Sequence, residues 1–296
     1  MSSILQHTLA APVRFSGIGI HTGQSVRVTL SPSAVNSGIA FLRTDVAGRD
    51  GRVLARGDLV CDTRLGTMIG NAAGVTVSTI EHLMAALNAL NIDNVLVTLD
   101  GPEVPILDGS CTPFIEAIDR VGVRSQQARR QYIEILAPMA VVEDDKRAAL
   151  LPADGFEVAF EIDFDDPAIG RQRLDMMIDE RAFREALAPC RTFGFRHEVD
   201  ALRAAGFARG GSLDNVVVID EGEILNPDGL RHPEEFVRHK AIDAIGDLYL
   251  LGAPIVGRYE GVYAGHRLNN ALVRVVMASP RAWRYAGAPQ TLARAV

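Results

Sequence analysis

Twice along this chain, short segments of alternating apolar and polar residues are followed by helix-patterned runs, and that repeat confines the fold. In the first half the strand-like segments are 26–30, 38–43 and 94–99, with a helix over 79–90 between them. A second helix is expected over 113–121, with Thr112 at its N-cap, Pro113 at the first helical position and Gly122 just past its end. Residues 123–131 are polar and basic, and after them the order starts again. Strands are expected over 132–136, 140–143, 148–151 and 156–164, and helices over 179–187, 198–205 and 234–251. Further strands are expected over 216–219 and 272–277. Strands then helices, twice, predict an α+β protein of two domains, 1–125 and 126–296, rather than a doubly wound sheet.

Composition limits what such a protein does. A chain of 296 residues, 48% hydrophobic and 23% charged, is an ordinary globular protein with length enough for two domains. The formal net charge of −7 argues against a nucleic-acid partner, and the basic cluster at 124–130 is short and free of aromatics, as in an exposed linker. Residues 1–24 lack a basic-then-apolar leader pattern, and no apolar run approaches the roughly 18 to 20 residues that cross a bilayer. A cytoplasmic protein without a transmembrane segment is expected. Cys61, Cys111 and Cys190 are odd in number and widely spaced, so they fit neither a disulfide framework nor a Cys-x-x-Cys zinc site. Any metal here is then bound by nitrogen and oxygen. The segment Gly17-Ile18-Gly19-Ile20-His21-Thr22-Gly23 is glycine-rich but lacks the dinucleotide-binding spacing, and a turn explains it as well.

Two segments carry metal chemistry. If 236–247 is helical, Val237, Ala241, Ala244, Ile245 and Leu248 form an apolar stripe, while His239, Lys240, Asp243 and Asp247 crowd the other side. His239 and Asp243, four residues apart, have a metal-ligand spacing. The other half is Ser78-Thr79-Ile80-Glu81-His82-Leu83, at the start of another expected helix. A catalytic zinc keeps three protein ligands and leaves a position to water, and His82, His239 and Asp243 would be those three. Glu81 points about 100° away from His82 around the helix, which suits a general base beside the ion rather than a fourth ligand. Each half also has a plainer explanation: Ser78-x-x-Glu81 fits a capping box, and His239 with Asp243 fits an exposed helix pair. A third element is Ala264-Gly265-His266-Arg267-Leu268-Asn269-Asn270, where His266 in a turn before a β-rich segment could protonate a leaving amine, oriented by a carboxylate such as Asp247. A turn histidine without a role is the alternative.

These segments, taken together and in order, resemble a known family. Thr79-Ile80-Glu81-His82-Leu83, Asp108-Gly109-Ser110, Arg191-Thr192-Phe193-Gly194-Phe195, Asn226-x-x-Gly229-Leu230-Arg231, Phe236-Val237-Arg238-His239-Lys240-x-x-Asp243-x-x-Gly246-Asp247 and Gly265-His266-x-Leu268-Asn269-Asn270 resemble the UDP-3-O-acyl-N-acetylglucosamine deacetylases. The likeness runs from Gln6 to about Trp283. It implies two similar α+β domains, each a sheet layer packed on helices, with the active site between them. It implies removal of acetate from an acylated UDP-N-acetylglucosamine in lipid A synthesis, with Zn2+ as cofactor. Residue by residue it implies that His82, His239 and Asp243 bind zinc, that Glu81 activates water, and that His266, positioned by Asp247, is the acid. It further implies that Thr192 stabilises the oxyanion, that Phe193 and Lys240 contact substrate near the amide, and that Lys146 meets the UDP phosphates. The stretch 193–212 corresponds to an insert that forms an apolar passage for the acyl chain, with Phe195, Ala201, Leu202, Ala205 and Phe207 as candidate linings.

There are departures from the family pattern. Some relatives carry cysteine where this chain has Gly66, and that thiol can meet a second, inhibitory zinc. Cys61, five residues earlier, does not replace it. Residues 280–296 are weakly patterned and receive no function. Two other classes stay open at this point: another zinc amidohydrolase or peptidase, which would need no sugar-nucleotide site, and a non-catalytic nucleotide-sugar-binding homologue.

Overall fold

Alternation in sequence becomes alternation of burial. In strand Ser25–Pro32, Val26, Val28 and Leu30 turn inward while Arg27 faces solvent, and in Val95–Leu99 the valines and Leu99 are buried. The computed structural model describes residues 4–48 and 50–287. These two strands are central in a five-stranded sheet, ordered Val13–Ile18, Ser25–Pro32, Val95–Leu99, Ile39–Arg43, Arg52–Leu54. Its helices are α1 (Glu81–Ala89) and α2 (Thr112–Asp119). A small sheet of Val60–Asp62, Met68–Gly70 and Thr76–Val77 leads into α1.

The second half repeats the plan. A seven-stranded sheet is centred on Ile255–Val262, which pairs with Lys146–Leu151, Phe156–Asp163 and Tyr132–Ile135. After the short α3 (Glu180–Ala182) and α4 (Val199–Ala204) come the long α5 (Glu235–Tyr249) and α6 (His266–Ala278). Among the described residues no sheet mixes strands before residue 130 with strands after it. The fold is α+β, two units each with sheet packed on helix. They meet where α1 lies against α5, so closely that a Cβ on Gly246 would sit 2.0 Å from the Glu81 carbonyl oxygen.

Several expectations change. The polar segment expected to link the halves contains a strand, Val123–Arg129, antiparallel to Leu5–Leu9, because backbone pairing there needs no apolar face. The expected strand 272–277 is helix: Leu268, Leu272, Val273 and Val276 are the buried apolar residues of α6, a helical spacing that its β-branched content hides. His266 therefore opens a helix, with Gly265 at its N-cap, instead of sitting in a turn before a strand. Thr112 is the first residue of α2 rather than its cap, and Cys111 takes that place without a side-chain bond. The expected helix 179–187 is α3 continued by a wide turn, Phe183–Leu187, in which the Ala188 N–H donates to the Phe183 carbonyl. The weakly patterned C-terminal segment holds a strand, Trp283–Ala286, and its residues 288–296 lie outside the described residues. No helix among the described residues is long and apolar enough to cross a membrane.

Candidate active site

Glu81 and His82 are the first two residues of α1 and are buried, at 3% and 5% exposure. The capping-box alternative fails. Ile80 occupies the N-cap without a side-chain bond, the Ser78 hydroxyl donates to the Pro102 carbonyl at 3.3 Å, and the Glu81 carboxylate instead accepts the Thr67 N–H at 3.0 Å. Thr79, at φ 55°, and the buried Glu103 carboxylate that accepts its hydroxyl at 3.0 Å set the chain direction into the helix.

On α5 the apolar stripe of Val237, Ala241, Ala244, Ile245 and Leu248 is buried as its spacing predicts. The opposite side is not a solvated face: His239, Asp243 and Asp247 are only 2–3% exposed. The α1–α5 contact turns this side towards Glu81 and His82. The ligand atoms of His82, His239 and Asp243 all lie within 4.8 Å of one another. His82 Nε2 is 3.5 Å and His239 Nε2 3.4 Å from Asp243 Oδ1. With its Nδ1–H donating to the Cys190 carbonyl at 3.1 Å, His239 presents the Nε2 lone pair to the group. Two imidazole nitrogens and a carboxylate oxygen, buried and converging, fit a divalent transition metal. It is the one such His/Cys/Asp/Glu group among the described residues.

The neighbouring ionisable groups are driven apart. Burial raises the Glu81 carboxyl, and Asp247 and Asp243 add to this against the pull of His266 and His82. Burial would also lower His266, yet Asp247, Asp243 and Glu81 outweigh it and push the imidazole up to about 9. His266 Nδ1 donates to Asp247 Oδ2 at 2.9 Å, which leaves Nε2 facing Glu81 Oε1 at 3.9 Å and Asp243 Oδ2 at 3.8 Å. Burial holds His239 down at about 4, the neutral form a ligand requires, with Asp243 opposing and His82 and Lys240 assisting. For Asp243 burial acts upward, but Lys240, His239 and His266 keep it well below the usual carboxylate range. The site thus offers, side by side, a carboxylate able to take a proton and an imidazolium able to give one.

A cavity of about 740 Å³ opens over this group. Thr192, Phe193, Lys240 and Lys146 line it together with Glu81, His82, His239, Asp243 and His266, whereas Asp247 stands one layer behind His266. The Thr192 N–H donates to the Gly109 carbonyl at 2.9 Å, which fixes the strand Phe193–Phe195 over the site. Phe193 packs edge-on to Phe236 and Phe164, with its ring 6.4 Å from that of His239. Lys240 Nζ donates to Asp243 Oδ2 at 2.6 Å. Of the expected passage residues, Phe195 and Leu202 line the cavity; Ala201 and Ala205 are exposed, and Phe207 packs edge-on against His21 instead. Gly66 abuts Glu81: a Cβ there would lie 2.9 Å from Glu81 Oε1. The three cysteines are free.

Sequence reasoning passed over Thr67, Glu103 and the Cys190 carbonyl, each of which touches a residue of the site from far away in the chain. No spacing rule signals them. Asn269, within the Gly265–Asn270 motif, donates to Asp247 Oδ2 at 2.9 Å while accepting the Tyr259 hydroxyl at 2.6 Å.

Comparison with known proteins gives one answer throughout. The family described as UDP-3-O-acyl N-acetylglycosamine deacetylase matches residues 6–278. A Phenylobacterium zucineum protein named UDP-3-O-acyl-N-acetylglucosamine deacetylase is 62% identical over 99% of this chain and 100% of its own length. Proteins of the same name from Anaeromyxobacter sp. and Neisseria meningitidis are 49% and 47% identical, over 93% and 95% of this chain and 89% and 92% of theirs. With identity at that level along nearly the whole chain, this protein belongs to the UDP-3-O-acyl N-acetylglycosamine deacetylase family of enzymes.

Proposed function

We propose that the chain hydrolyses the N-acetyl group of UDP-3-O-acyl-N-acetylglucosamine and releases acetate, as a cytoplasmic step of lipid A synthesis. His82, His239 and Asp243 would hold a zinc ion. The observation that carries this reading is the placement of Glu81 and His266 next to that trio and 3.9 Å from each other, with environments that favour a proton acceptor and a proton donor.

When bound, zinc supplies Lewis acidity, acidifying water and polarising the amide carbonyl. The rest falls to the protein. Glu81 takes the proton of the attacking water, and Asp247 holds the His266 Nδ1–H so that Nε2 delivers its proton to the leaving amine. Thr192, at the cavity wall, is the donor for the developing oxyanion. Phe193 and Lys240 orient the amide, and Lys146, on the exposed hairpin at the cavity rim, meets the diphosphate. Phe195 and Leu202 border an apolar passage for the acyl chain. Mass spectrometry of acetate release from acyl-UDP-N-acetylglucosamines of several chain lengths, with and without chelator, tests this. Release is expected only with metal present, and release that persists through chelation would overturn the zinc assignment.

A further inference from the structure

Thr67 has no part in the mechanism above, yet it is 1% exposed and touches both proton-transfer groups. It ends the loop that joins strands Val60–Asp62 and Met68–Gly70. Its backbone N–H donates to Glu81 Oε2 at 3.0 Å, and its carbonyl accepts the N–H of Ile80 at 3.4 Å, the residue before Glu81. Its hydroxyl donates to Asp247 Oδ1 at 2.6 Å and lies 3.3 Å from His266 Nδ1. A residue of the first unit thus fixes that unit's carboxylate by its backbone and the second unit's Asp–His pair by its side chain.

The hydroxyl completes the set of hydrogen bonds around the Asp247 carboxylate. Asp247 Oδ2 is taken by His266 Nδ1 and by Asn269 Nδ2, both at 2.9 Å. Oδ1 has Thr67. Without that donor a buried carboxylate oxygen is left unpaired, and the carboxylate can turn to share one of the donors on Oδ2. Turning it swings the His266 ring away from its line to the substrate. A hydroxyl has one proton to give; spent on Asp247, it leaves its lone pairs to face the His266 Nδ1–H, which favours the tautomer with Nδ1 protonated.

We infer that Thr67 is a positioning residue, whose hydroxyl locks the Asp247–His266 pair in register with Glu81 across the interface between the two units. This rests on the acid and base roles proposed above. The working group is the hydroxyl, so Thr67→Val, close in shape but without a donor, is the informative change, and Thr67→Ser keeps the donor.

The test is steady-state acetate release from an acylated UDP-N-acetylglucosamine, with rates taken per equivalent of bound zinc. Thr67→Val is expected to lower kcat by roughly 10- to 100-fold, as loss of a supporting hydrogen bond does elsewhere, with KM and zinc content unchanged. Thr67→Ser should return kcat to near wild type. In an Asp247→Asn background, Thr67→Val should add little, since the bond it removes is already altered. A Thr67→Val enzyme with wild-type kcat would overturn the inference, and so would a Thr67→Ser enzyme as slow as Thr67→Val, which would mark packing rather than the hydroxyl. If Thr67→Val does not fold, Thr67→Ala is judged by the same two outcomes. A wild-type chain that releases no acetate overturns the proposed function and this inference with it, whereas an active wild type with an unaffected variant overturns this inference alone.

Discussion

The two walls of the cavity are built on opposite principles. On the chemical wall, Glu81, His82, His239 and Asp243 are at most 5% exposed, seated on two helices packed backbone to backbone at Gly246, and tied down by Thr67, Cys190 and Lys240. The wall proposed for the acyl chain, 193–212, is a three-residue strand, a short turn of helix at Arg196–Glu198 and a six-residue helix, with no buried residue between Phe193 and Ser212. It is held at its far end by asparagine side chains: Asn226 donates to the Leu213 and Val216 carbonyls at 2.8 Å, and Asn215 donates to Gly210 at 3.1 Å. Bond making needs fixed distances, so that wall is preorganised; chain-length preference needs apolar area alone, so the other wall tolerates exposure and looser bonding.

The largest effect that would break this contrast is loss of the metal. His82→Ala, His239→Ala and Asp243→Ala each leave two protein donors, so zinc content and activity should both collapse; full zinc by elemental analysis in all three would remove the metal centre from the chemical wall.

Next come Glu81→Ala and His266→Ala, which should keep zinc and fold while losing roughly 10² to 10⁴ in kcat. Their pH limbs differ in sign. Glu81 works ionised, and burial first of all raises its carboxyl, so activity falls as pH drops through a limb above the ordinary carboxylate range. His266 works protonated, so activity falls as pH rises through its pKa, which Asp247, Asp243 and Glu81 push up to about 9 against burial. A bound divalent cation draws both limbs lower. Asp247→Asn removes the carboxylate charge that raises His266, and its basic limb should move to lower pH; an unmoved limb would assign that limb to another group.

Gly246→Ala sharpens the comparison from the packing side. Its Cβ meets the Glu81 backbone, which cannot rotate away, so the helices must part at a cost of about 1–3 kcal/mol. Thermal unfolding should register it, and kcat should fall because Glu81 moves. An equally small insertion on that other wall, Gly194→Ala, has no protein atom within 4 Å of the added Cβ and should leave thermal unfolding unchanged.

The smallest effect belongs to the passage. Each methylene of acyl chain buried against Phe195 and Leu202 contributes about 0.8 kcal/mol, so shortening the chain by one carbon should lower kcat/KM about fourfold. Equal kcat/KM for acylated and non-acylated substrates would show that this wall binds no chain at all.

How much of this was legible in the sequence follows from the range of the forces involved. The α5 pattern, with its stripe from Val237 to Leu248 and its polar side from His239 to Asp247, is set by helical periodicity within a dozen residues, and it reads correctly from the chain. Where local signals compete, the reading fails. The β-branched residues of 272–277 suggest a strand, but the buried spacing from Leu268 to Val276 makes a helix. The polar residues of 123–129 suggest a linker, but Leu5–Leu9 supplies a partner for their backbone.

By itself the sequence determined the α+β class and the residue types of the site, and its long ordered motifs pointed to the family, because periodicity and motif order are properties of neighbours along the chain. Only the tertiary structure decided that Glu81 caps nothing and that His266 opens a helix against Asp247. It alone brought Thr67 to two groups lying 14 and 180 residues away. Such contacts come from the packing of α1 on α5 and of one unit on the other. The energy that fixes them is collected from buried surface across the whole fold, and no window of sequence contains it.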